Sequence, residues 1–440
     1  MAAPSPESLY GATFACECGK THTIDPSEVV YAEDAVDRAS DVLGRVASGR
    51  CAAVLMDART REAAGAAVSR ALAKTGWTVA EAVVPDPKPG EDPRCDDATF
   101  ERLQAQLGPT DVVLPVGAGV ISDLGKWLAW ERDLPYAAFA TAASMNGYAS
   151  ANIAPTLKGV KSIVYARPPK AVLSSPSVLA AAPHKLTGSG LGDILAKCVS
   201  TTDWRLNNLL FGEYYCPRAA ALINDLEPLY LDRPEAIRDH EPDALGALFE
   251  GLLLTGVAMT MAETSAPSSG GEHLVSHALD MMSTIDGTPH DYHGRQVGIG
   301  TVLASAVYER VLAIEAPAFA APPTEVDRAF WGPLADQVAA EYRDKRDKYD
   351  EVPGLLSQAD AWDRLREALS GMARPPEATR ECLRRAGAAW RAEDIDCTGE
   401  RLRAAFAHAH EMRSRFTILD LARLVGVLPG AVDELVDAWA

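Results

Sequence analysis

The sequence predicts an α/β domain built on a parallel sheet, followed by an all-α domain, and three observations predict it. Short apolar runs alternate with helical stretches through the first 180 residues, the order that covers both faces of a parallel sheet. From Ser177 to Val436, long Ala/Leu-rich amphipathic patterns succeed one another almost without interruption. At 440 residues the chain exceeds one ordinary core. The expected domains are therefore residues 1–180 and 181–440.

The first domain can be justified element by element. Ala35 to Ala47 has helical spacing, and Cys51 to Met56 is a short apolar strand ending at Asp57. Ala58 to Ala73 reads as a helix with Thr60 as its cap. Trp77 to Val84 is a second strand; a Pro-rich loop from Pro85 to Pro93 and a helix from Asp97 to Leu107 lead to a third, Asp111 to Val116. That strand runs into Gly117-Ala118-Gly119-Val-Ile-Ser122-Asp123, where glycines permit a tight turn and bring backbone N–H groups close to a phosphate. Ser122 stands where the third glycine of G-x-G-x-x-G belongs, so a plain strand-to-helix turn explains the segment equally well. Asp57 adds to the functional side, because a carboxylate at a strand end accepts hydrogen bonds from a ribose and repels a 2′-phosphate. It precedes the glycines by 60 positions, whereas the usual acidic residue follows them.

Pro135 to Ser150 reads as a strand and a small-residue loop in which Thr141, Ser144 and Asn146 can face a ligand. Lys158 and Lys161 come next and are either a solvated face or an anchor for a phosphate or carboxylate. In the helical half, breaks are expected at Pro217, at Ser265 to Gly271, at Ala316 to Pro323 and at Pro353.

Composition excludes some classes of function. A net charge of −19 opposes non-specific binding to nucleic acid, though a local basic pocket remains compatible with an anionic substrate. No uninterrupted apolar run reaches the roughly 18 residues of a membrane span, and the first residues lack the features of a signal peptide. A cytoplasmic protein with no membrane partner is expected. Eight scattered cysteines read as reduced thiols. The cluster Cys16-Glu-Cys18-Gly-Lys-Thr-His22 has the start of a zinc knuckle, but no second Cys/His pair follows at suitable spacing, so a structural or incidental role is expected.

The chemistry concentrates downstream. Gly188 to Lys197 places Asp193 just inside a predicted helix. His273 and His277 lie four apart on one helix face, and His290 and His293 follow in a loop entering the next helix. Neutral imidazoles with a carboxylate suit Zn²⁺ or Fe²⁺, and three protein ligands leave positions open for water or substrate. The pair lacks the Glu of H-E-x-x-H, which disfavours a metalloprotease.

Taken in order, Gly117 to Lys126, Thr141 to Ser150, Gly190 to Lys197, Asp203-Trp-Arg-Leu, Gly212 to Pro217, Gly271-Glu-His273 and His293 to Gly300 resemble the glycerol-1-phosphate dehydrogenase family. More broadly they resemble the superfamily of glycerol dehydrogenase, iron-dependent alcohol dehydrogenases and dehydroquinate synthase. The likeness runs from about residue 14 to at least residue 348. It implies a Rossmann-like nucleotide-binding domain, a helical domain and a metal in a cleft. The implied ligands are Asp193, His273 and His293, with His277 as a further catalytic or substrate-facing residue. The implied metal is Zn, Fe or Ni, and the implied cofactor is NAD(H) or NADP(H). Gly117, Ala118, Gly119, Ser122, Asp123, Thr141 and Ser144 would line the cofactor, with Asp57 at the ribose favouring NAD. Asn146, Lys161 and Lys158 would face a small phosphorylated substrate, dihydroxyacetone phosphate first among them, in an enzyme expected to form a homo-oligomer.

This chain departs from the family pattern at Asn146 and Ser175, where aspartates are expected, and at Arg295, where Glu is expected. Three functions therefore compete: a metal-dependent dehydrogenase of that or another keto-phosphate or polyol, a dehydroquinate-synthase-like cyclase or lyase using NAD transiently, and a binding protein without catalysis. An intact ligand set speaks against the last.

Overall fold

The computed structural model describes residues 9–158 and 160–440; the side chains of residues 160 and 161 lie outside the described residues. The chain forms two compact units, residues 1–190 with 217–263, and residues 191–216 with 264–440. A single boundary near residue 180 would assign 217–263 to the helical half, whereas its contacts place it in the first unit. Its helices look no different in sequence from those that follow, and packing alone assigns them.

The first unit opens on a hairpin, β1 (Thr13–Ala15) against β2 (Thr21–Thr23). Six strands then make one sheet: β3 (Glu28–Tyr31), β4 (Cys51–Asp57), β5 (Thr78–Val84), β6 (Val112–Gly117), β7 (Ala137–Ala140) and β8 (Ala171–Ser174). Their spatial order is β3-β8-β7-β6-β4-β5, and every neighbouring pair is parallel. Such a sheet needs cover on both faces, and alternate side chains supply two apolar layers. Ala52, Val54 and Met56 of β4 pack with the helices Ala35–Val46 and Ala66–Lys74, while Ala53 and Leu55 pack with Asp97–Gln106 and Gly119–Glu131. The expected cap at Thr60 is corrected to Asp57, whose Oδ1 accepts the Thr60 N–H at 2.8 Å while Thr60 Oγ1 accepts the Asp57 N–H at 2.9 Å. The two-residue strand Val164–Tyr165 pairs antiparallel with Asn152–Ile153, apart from the six-stranded sheet.

The helix Pro242–Ala262 is apolar enough to cross a membrane, with a mean hydropathy of 1.6, but 83% of its apolar window is buried in the protein. It is a core helix. Its Phe249 ring lies 5.6 Å from Tyr31 and 6.2 Å from Tyr148.

The second unit is helical. Its long members are Lys197–Phe211, Gly271–Asp286, His293–Leu312 and Ala335–Leu356. The expected break at Pro353 does not fall there: Ala335–Leu356 carries Pro353 in its last turn and ends only at Leu356. Buried charge is paired, as Lys345 with Asp420 at 2.8 Å.

Candidate functional site

Three residues of the second unit converge on one point. Asp193 stands in the last turn of His184–Leu195, His273 in the first turn of Gly271–Asp286, and His293 opens His293–Leu312. Asp193 was expected just inside a helix start, and the structure corrects this. The glycines before it are interior packing positions rather than a loop. A Cβ on Gly192 would lie 2.0 Å from the Gly294 carbonyl oxygen, so only glycine lets these two helices approach. One ligand atom each from Asp193, His273 and His293 falls within a 4.8 Å group, and Asp193 and His273 are buried.

The imidazoles are oriented by neighbours. His273 Nδ1 donates to Glu272 Oε1 at 2.7 Å, which leaves Nε2, 3.6 Å from Asp193 Oδ1, with its lone pair toward the centre. Ser276 Oγ donates to Gln296 Oε1 at 2.9 Å and so accepts from His293 Nδ1 at 3.3 Å, leaving Nε2 of that ring as well. Burial opposes charge on His273, but Asp193 and Glu272 outweigh it and raise its pKa to about 9. The centre favours a positive charge, and a divalent cation that replaces the proton meets the same demand. Carboxylate and imidazole donors at these separations fit a divalent metal. Beneath them, burial first and Glu272 second push the Asp203 carboxyl up to about 8, while it accepts from Gly271 N, Ile418 N and Tyr308 Oη.

His277 stacks on His293 at 5.5 Å, and with Asp280 and His293 it forms a second group of donors. Arg295, a departure from the expected pattern, is buried and donates to Asp291 Oδ2 at 2.9 Å and to the Asp394 carbonyl.

In the first unit the candidate cofactor residues share one edge of the sheet. Leu55 pairs with Pro115, so Asp57 and Gly117 end adjacent strands side by side, despite the 60 positions between them. β5 lies on one side of β4 and β6 on the other, which makes the β4/β6 junction the point where strand order reverses. Open parallel sheets bind ligands at such a point, outside the carboxyl ends of the strands. Ala118 caps the helix Gly119–Glu131, whose first N–H groups face that end. Ser122 is buried with no hydrogen-bond partner for its hydroxyl. Asp123 accepts from Ala154 N at 3.1 Å, Thr141 N donates to the Gly117 carbonyl at 3.2 Å, and Ser144 Oγ lies 3.4 Å from Tyr148 Oη.

On the substrate side, Asn146 begins the short 3-10 turn Asn146–Ala149. Lys158 is exposed at a turn with φ 50°, and Lys161 lies in the two-residue strand Val160–Lys161, its side chain outside the described residues. Ser175 donates to Glu33 Oε2 at 3.0 Å, as Ser177 does at 2.6 Å, and these bonds hold the Glu33 carboxyl below its usual pKa. Sequence reasoning missed Glu272, Ser276 and Glu33. Only for Glu272 was there a signal, its place immediately before a candidate ligand.

Residues 30–183 match the family model described as iron-containing alcohol dehydrogenase. The chain is 30% identical over 424 residues to glycerol-1-phosphate dehydrogenase (NAD(P)+) of Bacillus licheniformis, a match covering 96% of this chain and 94% of that one. It is 31% identical over 288 residues to the enzyme of the same name from Thermococcus sibiricus, covering 64% of this chain and 78% of the other. Among solved structures it is similar in fold to glycerol dehydrogenase from Schizosaccharomyces pombe, with TM-score 0.60, 17% identity and coverage of 94% and 90%. NADH-dependent butanol dehydrogenase A from Thermotoga maritima is similar too, with TM-score 0.59, 16% identity and coverage of 94% and 97%.

Proposed function

We propose a function on the premise that this chain belongs to the glycerol-1-phosphate dehydrogenase family, within the iron-containing alcohol dehydrogenases. It is an oxidoreductase, a metal-dependent dehydrogenase working with NAD(P). The reaction we assign is reduction of a small phosphorylated ketone, with dihydroxyacetone phosphate going to sn-glycerol 1-phosphate as the leading case. The observation that carries the reading is the triad of Asp193, His273 and His293, the first two buried and the third partly so, whose donors suit a divalent metal.

When bound, the metal supplies Lewis acidity toward the substrate carbonyl oxygen, and the reduced nicotinamide supplies the hydride. Asp193, His273 and His293 hold the metal, while Glu272 and Ser276 keep the two Nε2 atoms available to it. His277, stacked on His293, is the group assigned to give the reduced oxygen its proton. The Gly117-Ala118-Gly119 turn takes the cofactor pyrophosphate, with Ser122 and Asp123 in the first turns beyond it. Asp57 takes the adenosine ribose, and Thr141 and Ser144 belong to the same strand-end edge. The cofactor residues fall in 1–180 and the metal ligands in 181–440. Lys158 and Lys161 are the cations assigned to the substrate phosphate. The metal is Zn, Fe or Ni, and the enzyme is read as a cytoplasmic homo-oligomer.

Asn146 favours a second reading, in which the substrate is another keto-phosphate or polyol. An aspartate there would only accept hydrogen bonds from substrate hydroxyls, whereas the amide also donates. The deciding experiment combines metal analysis with NADH and NADPH oxidation over dihydroxyacetone phosphate, dihydroxyacetone, glyceraldehyde phosphate and other keto-phosphates. Oxidation with the first supports the leading case, and oxidation only with another supports the second reading. Metal-replete protein that oxidises neither cofactor with any of them overturns both readings.

A further inference from the structure

The hairpin of the first unit carries donors that the dehydrogenase reaction does not use. Cys16 and Cys18 lie in the turn between β1 and β2, and His22 is on β2 opposite Phe14. Cys16 N donates to the Lys20 carbonyl at 2.9 Å, and Gly19, at φ 87°, returns its N–H to the Cys16 carbonyl at 3.0 Å. That tight turn brings Cys18 Sγ to 3.2 Å from His22 Nε2. The helix Pro217–Ala221 packs on the same hairpin, with the Arg218 guanidinium 5.0 Å over the Phe14 ring. Cys216 is peptide-bonded to Pro217, so its place follows from that packing and one bond. Its thiol joins those of Cys16 and Cys18 and the His22 imidazole in a single group of donor atoms within 4.8 Å. None of the four is in a disulfide, and Cys216 and His22 are buried.

We propose that Cys16, Cys18, His22 and Cys216 form a structural zinc site, separate from the catalytic metal. Three thiols and one imidazole make a closed four-ligand set of the structural kind, whereas Asp193, His273 and His293 leave positions open. Zn–S bonds of about 2.3 Å place tetrahedral ligands roughly 3.7 Å apart, which the group reaches by small side-chain rotations. On binding, the three thiols release three protons to solvent and the imidazole binds neutral, leaving a net charge of −1 beside Lys20 and Arg218. The site has work to do: a two-stranded hairpin with three-residue strands is marginal alone. The metal ties it to a point 200 residues further along the chain.

Cobalt substitution of the full-length protein separates the two metals, because only a thiolate site produces an intense ligand-to-metal charge-transfer band in the near ultraviolet. The band is expected in the wild type and in His273→Ala, and is expected to be lost in Cys16→Ser and Cys216→Ser. Metal analysis should find one zinc that remains in His273→Ala and departs in the two cysteine variants. If those variants do not fold, titration of folded His273→Ala with a mercurial should release that zinc as the thiols are consumed. A wild type without the charge-transfer band overturns the proposal, as does a band that survives both cysteine substitutions or a mercurial titration that frees no zinc. An intact mass showing a disulfide among these cysteines overturns it equally.

Discussion

Gly192→Ala tests how the proposed metal ligands Asp193, His273 and His293 are brought together. A Cβ there would sit 2.0 Å from the Gly294 carbonyl oxygen, 3.0 Å from its carbon and 3.3 Å from the Gly298 Cα. All three neighbours are backbone, so no side chain can rotate away. Carbon–oxygen contacts settle near about 3.3 Å, which requires the two helices to separate by roughly 1.3 Å. Asp193 follows Gly192 and His293 precedes Gly294, so that separation falls between two of the three ligands. Metal–ligand distances tolerate only about 0.2 Å, and the displacement is several times larger. We expect zinc affinity to fall at least about 100-fold, while overpacking lowers stability by about 1–3 kcal/mol. Competition against a chromophoric chelator measures the first and thermal melting of the metal-free protein the second. Gly298→Ala is the control: its Cβ would meet the Gly192 Cα at 3.3 Å and two Leu383 methyl groups at 3.3 and 3.4 Å, contacts that small shifts relieve. Gly192→Ala protein that binds zinc within about threefold of the wild type would refute the reasoning.

Glu272→Gln weakens the acceptor that fixes the His273 tautomer, and zinc affinity should drop about 10–100-fold by the same competition assay, with less loss than in His273→Ala. Asp57→Ala should raise the kcat/KM ratio of NADPH to NADH by about tenfold as repulsion of the 2′-phosphate disappears, and should cost about 1 kcal/mol with the lost cap; an unchanged ratio removes Asp57 from the cofactor site. Asp203, raised to about 8 from an unfolded value of 3.8, binds its proton more tightly when folded. Its contribution is complete below pH 4 and is lost as pH rises through 8, at up to about 1.4 kcal/mol per pH unit. Melting temperatures between pH 5 and 8 should decline in the wild type and decline less in Asp203→Asn. Asn146→Asp should raise kcat/KM for dihydroxyacetone phosphate about tenfold if the native substrate is a different one, and should leave it level or lower if the amide already serves that substrate.

The parts of the fold that were legible in the sequence are those whose signal is local. β4 and β6 read clearly because a strand buried on both faces is a continuous apolar run, and the helix Ala35–Val46 reads clearly from its periodicity. β3 and β8 were not legible: each has four residues, and Pro168, Pro169 and Pro176 crowd the second. Gly188, Gly190 and Gly192 misled, since a glycine that breaks a helix and one that lets two backbones touch are the same letter. For the site, histidine spacing pointed to the candidate ligands, but nothing in the sequence separates Glu272 from a solvated carboxylate, and its bond to His273 Nδ1 does. Cys216 could not be joined to Cys16 by spacing, because the link is made by packing of the helix after Pro217 on the hairpin.

The three departures from the family pattern do not carry equal weight. Ser175 lacks a carboxylate of its own, yet its hydroxyl and that of Ser177 hold Glu33, whose charged form they favour, so a carboxylate is present there after all. Arg295 is committed to Asp291 and to the Asp394 carbonyl, both within the helical unit, and its guanidinium pins the loop that leads into His293. A cation fixed by two partners so close to the proposed ligand His293 acts on the position of that residue before it acts on substrate. Neither change therefore requires a new substrate. Asn146 is different, because exchanging an acceptor-only carboxylate for an amide that also donates changes which substrate hydroxyls or carbonyls can be matched. A change of substrate within this family, if this chain has made one, rests on that single amide.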